Sequence, residues 1–201
     1  VEDGASAQSI EDIALFSSLP TFKVGVPADV VEAEAMIEAA AKDSGPWYIR
    51  TGRPKIPVLY TDGPRYQIGK ADTLREGGDL TIVACGLLVE RALRAADVLA
   101  AEGVSARVLN MATIRPLDVD ALEAAARETG AIVVAEEHLV HTGLGAMVAQ
   151  ALATRHPVPM ELVAVQDRFG QSGKPSELMD AFGLRATDIV AASQRVMGRK
   201  N

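Results

Sequence analysis

Cysteine, histidine, long apolar runs and clustered positive charge are all scarce in this sequence, and each scarcity removes a class of function. Cys85 is the only cysteine among the 201 residues, so no intrachain disulfide can form, as is usual in a reducing cytoplasmic compartment. It closes the apolar run Thr81–Cys85, where the expected role is a small buried core residue rather than a nucleophile or redox thiol. No apolar stretch approaches the roughly 20 residues that a membrane-crossing helix needs. Acidic residues outnumber basic ones, 27 to 20, for a formal net charge of −7. With no basic stripe to offset that charge, nucleic acid is not an expected partner. The three histidines, His138, His141 and His156, all lie beyond residue 137, which leaves no Ser–His–Asp order to argue. Val1-Glu2-Asp3-Gly4 carries no initiator methionine and no signal-like start. The expectation is a chain that opens partway through a structural unit, the missing part being cut off, disordered or on another polypeptide.

What is present points to an α/β protein. Nearly half of the residues are apolar, 48%, with 23% charged, and Ala-rich stretches alternate with Val/Ile/Leu clusters. Up to about Pro57 the order is helix, strand, helix, strand. A first helix is expected from Ser9-Ile-Glu-Asp12, closed by Pro20, and a strand at Phe22–Val26. A second helix is expected after Asp29, with Val30, Ala33, Ile37 and Ala40 as its buried stripe, and a strand at Trp47–Thr51. These strands are expected to present open sheet edges. The Pro- and Gly-punctuated stretch up to Gly78 suggests a linker, with an edge strand near Tyr66–Lys70. From Asp79 the pattern is regular, with strands expected at Leu80–Ala84, Ala106–Asn110, Ala131–Ala135 and Met160–Val165. Helices are expected between and after them, at Leu88–Ala101, Val119–Glu128, Leu144–Thr154, Glu177–Phe182 and Asp188–Met197. Strands alternating with helices specify a mostly parallel sheet covered on both faces.

Several segments have the outline of a chemical site. Gly170-Gln-Ser-Gly173-Lys174-Pro175 is one residue short of a Walker loop, and proline stands where Ser/Thr would hold magnesium; a turn and helix start is expected instead. Gly143-Leu-Gly145-Ala-Met-Val148 follows a strand and opens a helix, but lacks the small sixth residue and later acid of a dinucleotide fingerprint. Its glycines are expected to allow a sharp turn and a close helix–sheet approach. Glu136-Glu137-His138 with His141 has no third histidine or cysteine nearby, and neighbouring strand residues point to opposite sides. A polar loop at a domain interface is expected rather than a metal site. Arg50 and Arg53 flank the end of a strand in Ile49-Arg50-Thr51-Gly52-Arg53-Pro54, where guanidinium forks suit a phosphate or carboxylate. Asp3 sits in a Gly-containing loop before a helix, where it either caps backbone amides or receives a substrate hydroxyl.

Taken together, these segments resemble the C-terminal half of transketolase. Glu2-Asp3-Gly4-Ala5-Ser6 is similar to the family's Glu-Asp-Gly-Pro-Ser/Thr loop. Thr51-Gly52-Arg53-Pro54 is similar to the strand end bearing its phosphate-binding arginine. Val108-Leu109-Asn110, Ile114-Arg115-Pro116-Leu117-Asp118 and Ser172-Gly-Lys-Pro-Ser-Glu-Leu178 are similar to its C-terminal domain. The resemblance implies a partial pyrimidine-binding domain over residues 1–60, a linker at 61–78 and a C-terminal α/β domain over 79–201. It implies a transferase of the pentose phosphate pathway that uses thiamine diphosphate and Mg (or Ca/Mn) to move a two-carbon ketol unit between sugar phosphates. On this reading the diphosphate and metal site and the activating glutamate lie outside the chain, which is inactive alone. Its implied partners are a second copy or a thiamine-diphosphate-binding N-terminal subunit, in the cytoplasm. By position, Asp3 and Arg53 would bind substrate, with Arg50 as a supporting neighbour. Ala7 stands where many members have histidine, which leaves a non-catalytic module of the same fold open. The deoxyxylulose phosphate synthase and the 2-oxo-acid dehydrogenase β chain, which share the architecture, are the related alternatives.

Overall fold

The computed structural model describes residues 4–200. A single turn of 3-10 helix at Ala5–Ala7 precedes α1 (Asp12–Ser17), β1 (Lys23–Gly25), α2 (Val30–Lys42) and β2 (Trp47–Ile49). The longer second part runs β3 (Asp72–Arg75), β4 (Leu80–Ala84), α3 (Leu88–Ala101), β5 (Ala106–Asn110), β6 (Thr113–Arg115) and α4 (Val119–Thr129). It continues through β7 (Ile132–Leu139), α5 (Leu144–Arg155), β8 (Met160–Val165), α6 (Pro175–Ala181) and α7 (Ala186–Met197). Five strands form one sheet in the order β3-β5-β4-β7-β8. Its β5-β4-β7-β8 portion is parallel, and β3 joins β5 antiparallel at the edge. This is the doubly covered α/β sheet that the alternation of elements predicts.

Residue parity along the strands explains the two layers. Ile82, Val108 and Val133 face α3 and α7, where Leu88, Ala92, Leu99, Ile189 and Val196 pack with them. Val83, Leu109, Ile132 and Val134 face the opposite way, towards Leu122 of α4 and Leu144, Val148 and Leu152 of α5. That second layer also takes in Ile13, Val24 and Val26 from the first part of the chain. The two parts therefore share a core rather than each burying its own.

The strand edges follow suit. β1 lies between β2, which it pairs in parallel, and β6, which it pairs antiparallel. An open edge at β1 was to be expected from the sequence; the short Thr113–Arg115 strand, which no local pattern announces, closes it. The edge strand expected near Tyr66–Lys70 forms instead at Asp72–Arg75. The earlier residues are drawn elsewhere, because the Tyr66 hydroxyl and the Gly69 amide both bond to the Thr113 hydroxyl, at 2.9 and 3.1 Å.

Two helix expectations need correction. The first helix starts at Asp12 with Glu11 at its N-cap, and the Ser9 side chain makes no capping bond. On α2, Val30 and Ile37 are exposed, 56% and 54%, and the helix buries Glu32 and Met36. Polar bonds rather than apolar periodicity set this face. Asp29 caps α2 as expected, accepting the Glu32 amide at 2.8 Å, and its other oxygen accepts the amides of Leu59 and Tyr60 at 2.6 and 2.9 Å. The Glu32 carboxylate accepts the Ala28 amide at 2.7 Å and the Asn110 side-chain amide at 2.8 and 2.9 Å. Asn110 also donates to the Tyr60 hydroxyl at 2.8 Å. Burial raises the Glu32 carboxyl above its ordinary value, with the Ala28 amide and Asn110 opposing that rise.

Asn110 thus fastens the end of β5 to the start of α2 inside the protein. Asn110→Ala leaves Glu32, 2% exposed, with the Tyr60 hydroxyl at 3.4 Å as its remaining side-chain donor. It is expected to lower unfolding free energy by about 2–4 kcal/mol in urea titration; a loss below about 0.5 kcal/mol contradicts this fastening role.

Candidate functional site

The ends of β2 and β7 and the start of α1 meet around one guanidinium. Arg50 follows β2 directly, and its backbone amide still bonds to the Gly25 carbonyl at 2.9 Å, so the strand fixes where its side chain begins. Its Nη1 donates to the Glu137 carbonyl at 2.6 Å, and its Nη2 to the Ser9 carbonyl at 3.0 Å. Its Nε lies 3.2 Å from the Asp12 carboxylate, and Nη2 3.5 Å from that of Glu137. With 15% of its side chain exposed, Arg50 spends its donors on the protein itself. Asp12, 4% exposed, also accepts the Tyr48 hydroxyl at 2.6 Å. Burial and this carboxylate push the Tyr48 phenol up to about 12, so it stays protonated and donates.

The three polar residues Glu136-Glu137-His138 are strand rather than the expected loop: they belong to β7, which runs past the Ala135 end expected of it. They diverge as strand neighbours must. Glu137 reaches Arg50. His138 accepts the Ala14 amide of α1 on Nε2 at 3.3 Å and bonds through Nδ1 to the Leu139 carbonyl at 3.1 Å. Those partners assign the proton to Nδ1, and burial lowers the imidazole below its ordinary value, favouring the neutral form. The Leu139 amide donates to the Ile10 carbonyl at 2.8 Å. The polar stretch is therefore the seam between the two parts of the chain.

Glu136 turns the other way, into the N-terminus of α5. Its carboxylate accepts the amides of Leu144 and Gly145 at 2.7 and 2.8 Å. A Cβ at Gly143 would collide with Glu136 Oε2, so Gly143 is required by the close approach of this carboxylate. One at Gly145 would first meet Leu162 of β8 at 2.8 Å, the close helix–sheet approach expected of it. The amides that a dinucleotide phosphate would use are filled from within. Desolvation pushes the Glu136 carboxyl up to about 7, against the two amides and Arg50, which lower it. Cys85 is buried as expected, and that burial raises its thiol far above the ordinary range.

Of the residues expected to bind substrate, Asp3 lies outside the described residues. Arg53 is exposed, on the irregular segment that follows β2. Arg50 joins that segment to Ser9 and so brings the strand end next to the N-terminal loop. Ala7 is exposed within the 3-10 turn, and Gln8 donates from Nε2 to the Gln171 carbonyl at 3.1 Å. Gln171 belongs to the Gly170–Lys174 segment, which does open a helix, with Pro175 as the first residue of α6. Its contact with residue 8 had no local signal. Among the described residues, no group of three or more His, Cys, Asp or Glu side chains is placed to hold a metal ion, and no helix is long and apolar enough to cross a membrane.

Comparison with known proteins covers nearly the whole chain. Residues 1–58 match the family described as Transketolase, pyrimidine binding domain, and residues 69–189 match Transketolase, C-terminal domain. The chain is 39% identical over 199 residues to a 6-deoxy-6-sulfo-D-fructose transketolase subunit of Clostridium sp. (strain MSTE9), covering 99% of this chain and 62% of that one. It is 37% identical over 182 residues to an apulose-4-phosphate transketolase subunit of Phocaeicola vulgatus, covering 90% of this chain and 58% of that protein. Human transketolase is 36% identical over 200 residues, of which the chain spans 32%. Among solved structures, a split gene transketolase described as an inactive beta4 tetramer superposes with a TM-score of 0.95 at 45% identity. That match covers 98% of this chain and 65% of the other. The chain is thus shorter than each of these relatives, spanning about a third to two thirds of their length.

The buried carboxylate at the α5 N-terminus has a measurable consequence. A carboxyl raised from its ordinary 4.5 to about 7 in the folded state binds a proton that the unfolded chain releases earlier. Its contribution to stability is therefore full at low pH and is lost as pH rises between those values. Glu32 and Glu137 are raised too, and His138 is lowered, which slopes the other way below its ordinary 6.5. The difference between the wild-type chain and Glu136→Gln isolates one group. The stability of wild type relative to Glu136→Gln should fall from pH 5 to pH 7 and level off above, in urea midpoints taken at several pH values. A pH-independent difference contradicts the raised carboxyl.

Proposed function

The chain belongs to the transketolase family, and on that premise we propose that it is the sugar-binding part of a transketolase assembled from more than one piece. The observation that carries this reading is the meeting of two chain segments at Arg50. Its Nη2 bond to Ser9 at 3.0 Å sets the end of β2, with exposed Arg53 three residues on, beside the N-terminal loop at Gly4–Ser9. On this reading the phosphate-recognising segment that bears Arg53 is tied by one buried side chain, Arg50, to the turn that follows Asp3 in sequence. In this reading Asp3 accepts a hydrogen bond from a donor-sugar hydroxyl, and Arg53 pairs with a sugar phosphate through a charge-assisted fork. Arg50, whose donors are committed internally, positions both segments rather than touching the sugar.

Thiamine diphosphate, with a divalent metal such as Mg, supplies the carbanion chemistry of the family when bound. In this reading the complementary piece holds the diphosphate, the metal and the activating glutamate. Partnership with that piece, as a homo- or hetero-oligomer, is then a condition of activity. The similar proteins described as subunits of transketolases, and the similar split gene structure, support an arrangement of this kind. A non-catalytic role rests on Ala7, which takes the place of a histidine found in many members.

In a complex of this chain with its complementary piece, Arg53→Ala should raise KM for phosphorylated sugars about ten- to a hundredfold, with kcat little changed. That is the loss of a charge-assisted contact of about 1.5–3 kcal/mol. An equal effect on a non-phosphorylated acceptor sinks the phosphate assignment, and absence of any ketol transfer by the wild-type complex favours the non-catalytic role.

A further inference from the structure

The segment after β8 lies at the far end of the sequence from Gly4, yet it is seated on the N-terminal loop. Gln8 Nε2 donates to the Gln171 carbonyl at 3.1 Å across 163 residues of chain. The fit on either side of that bond is close, so that a side chain at Gly170 or Gly4 would push Gln8 or Ser172 aside. A Cβ at Gly170 would collide with Gln8 Oε1 and lie 3.6 Å from the Ala5 Cα, and one at Gly4 would lie 2.6 Å from Ser172 Oγ. Gly4 also holds a φ of +81°, which an L side chain rarely adopts. The glycine after Asp3 is thus favoured by its own backbone angle, and the Ser172 hydroxyl sits directly against it.

The seating segment is itself secured. Before Gly170, the Arg168 guanidinium lies 4.1 Å from the centre of the Phe182 ring and donates to the Ala181 carbonyl at the end of α6. After it, the Lys174 amide donates to Glu177 Oε2 at 3.0 Å, and a Cβ at Gly173 would press on Leu178 at 3.0 Å. The segment is pinned to both ends of α6, and what it presses against is a single turn, Ala5–Ala7, in which no residue is buried. A short exposed turn has little of its own to hold one conformation. The loop from the distant end is the more firmly held partner, so it sets the geometry of the N-terminal one.

We propose that Gly170, Gln171 and Ser172 are positioning residues for the sugar-facing loop: they hold the Gly4–Gln8 turn in the conformation in which Asp3 meets the donor sugar. This rests on the sugar-binding reading above and gives the C-terminal part of the chain a role in selecting the donor. Recognition of a hydroxyl needs its carboxylate held within a fraction of an ångström, because misplacement loses rate without losing the fold.

Gly170→Val drives a branched side chain into Gln8 and Ala5, and Gln8→Ala removes the bond at an exposed position without adding bulk, so the second variant keeps the test informative if the first folds poorly. Hydrogen–deuterium exchange of the full chain is expected to show amides 5–9 exchanging about tenfold faster in both variants, with the β4 and β7 amides unchanged. In the complex with the complementary piece, kcat/KM for the ketose donor should fall about tenfold, while KM for the aldose acceptor stays within about twofold. Unchanged exchange overturns the seating. Faster exchange with unchanged donor kinetics, or with donor and acceptor affected alike, overturns the positioning role. A wild-type complex that turns over no ketose sinks the sugar-binding reading itself, and is told apart because the exchange result still stands.

Discussion

The buried guanidinium of Arg50 is the constraint on which the rest of this structure depends. An exposed ion pair contributes at most about 1 kcal/mol, so salt bridges on the surface, such as Lys42 with Glu38, decide little. Arg50 is different because only 15% of its side chain remains exposed and it reaches carbonyls on Glu137 and Ser9 as well as two carboxylates. Leaving such a charge without one of its partners costs about 3–5 kcal/mol. The charge is satisfied only if the end of β2, the start of α1 and the β7 strand are all in place together. The first part of the chain thereby acquires a fixed relation to the second, and the loop at residues 4–9 and the segment bearing Arg53 acquire a fixed relation to each other.

Two further polar devices work in the same sense. Glu136 fills the N-terminus of α5 with a carboxylate supplied by the protein, and Glu32 is enclosed by Asn110, Tyr60 and the Ala28 amide. Glu136 lies just past the last residue of β7 paired with β4, and Glu32 is bonded to Asn110 at the end of β5, the edge at which open α/β sheets present their ligands. Here those positions hold the chain's own acids, and the exposed polar groups are shifted to the loops around residues 4–8 and 51–54. The chemistry proposed for the chain thus occupies its rim, where a complementary piece has access, and the sheet acts as the frame.

Much of the frame was legible in the sequence, because alternating apolar runs at β4, β5, β7 and β8 and the amphipathic stripes of α3, α4 and α7 answer to local periodicity. The Asp29 cap was legible too, since it bonds an amide three residues on. What escaped were features decided across the chain. Val30 and Ile37 have the spacing of a buried stripe, yet the bonds made by Glu32 turn α2 so that they face outward. β6 is three residues long and is defined by its partner β1, and the 170–173 segment has meaning only beside Gln8. At the site, Arg50 and Arg53 stood out as a strand-end pair. That one is buried and the other exposed depended on Glu137 and Asp12, which no spacing connects to them. The glycines of Gly143-Leu-Gly145 did indicate a close approach, but not that Glu136 was what approached Gly143.

The central claim is that this chain carries the sugar-recognising part of a thiamine-dependent active site whose cofactor is held elsewhere. Isothermal titration with thiamine diphosphate and magnesium tests it most directly, first on the chain alone and then on the chain mixed with its complementary piece. The account predicts no saturable heat from the chain alone and restored, saturable binding in the mixture. Binding by the isolated chain at about micromolar affinity, near −8 kcal/mol, would contradict it.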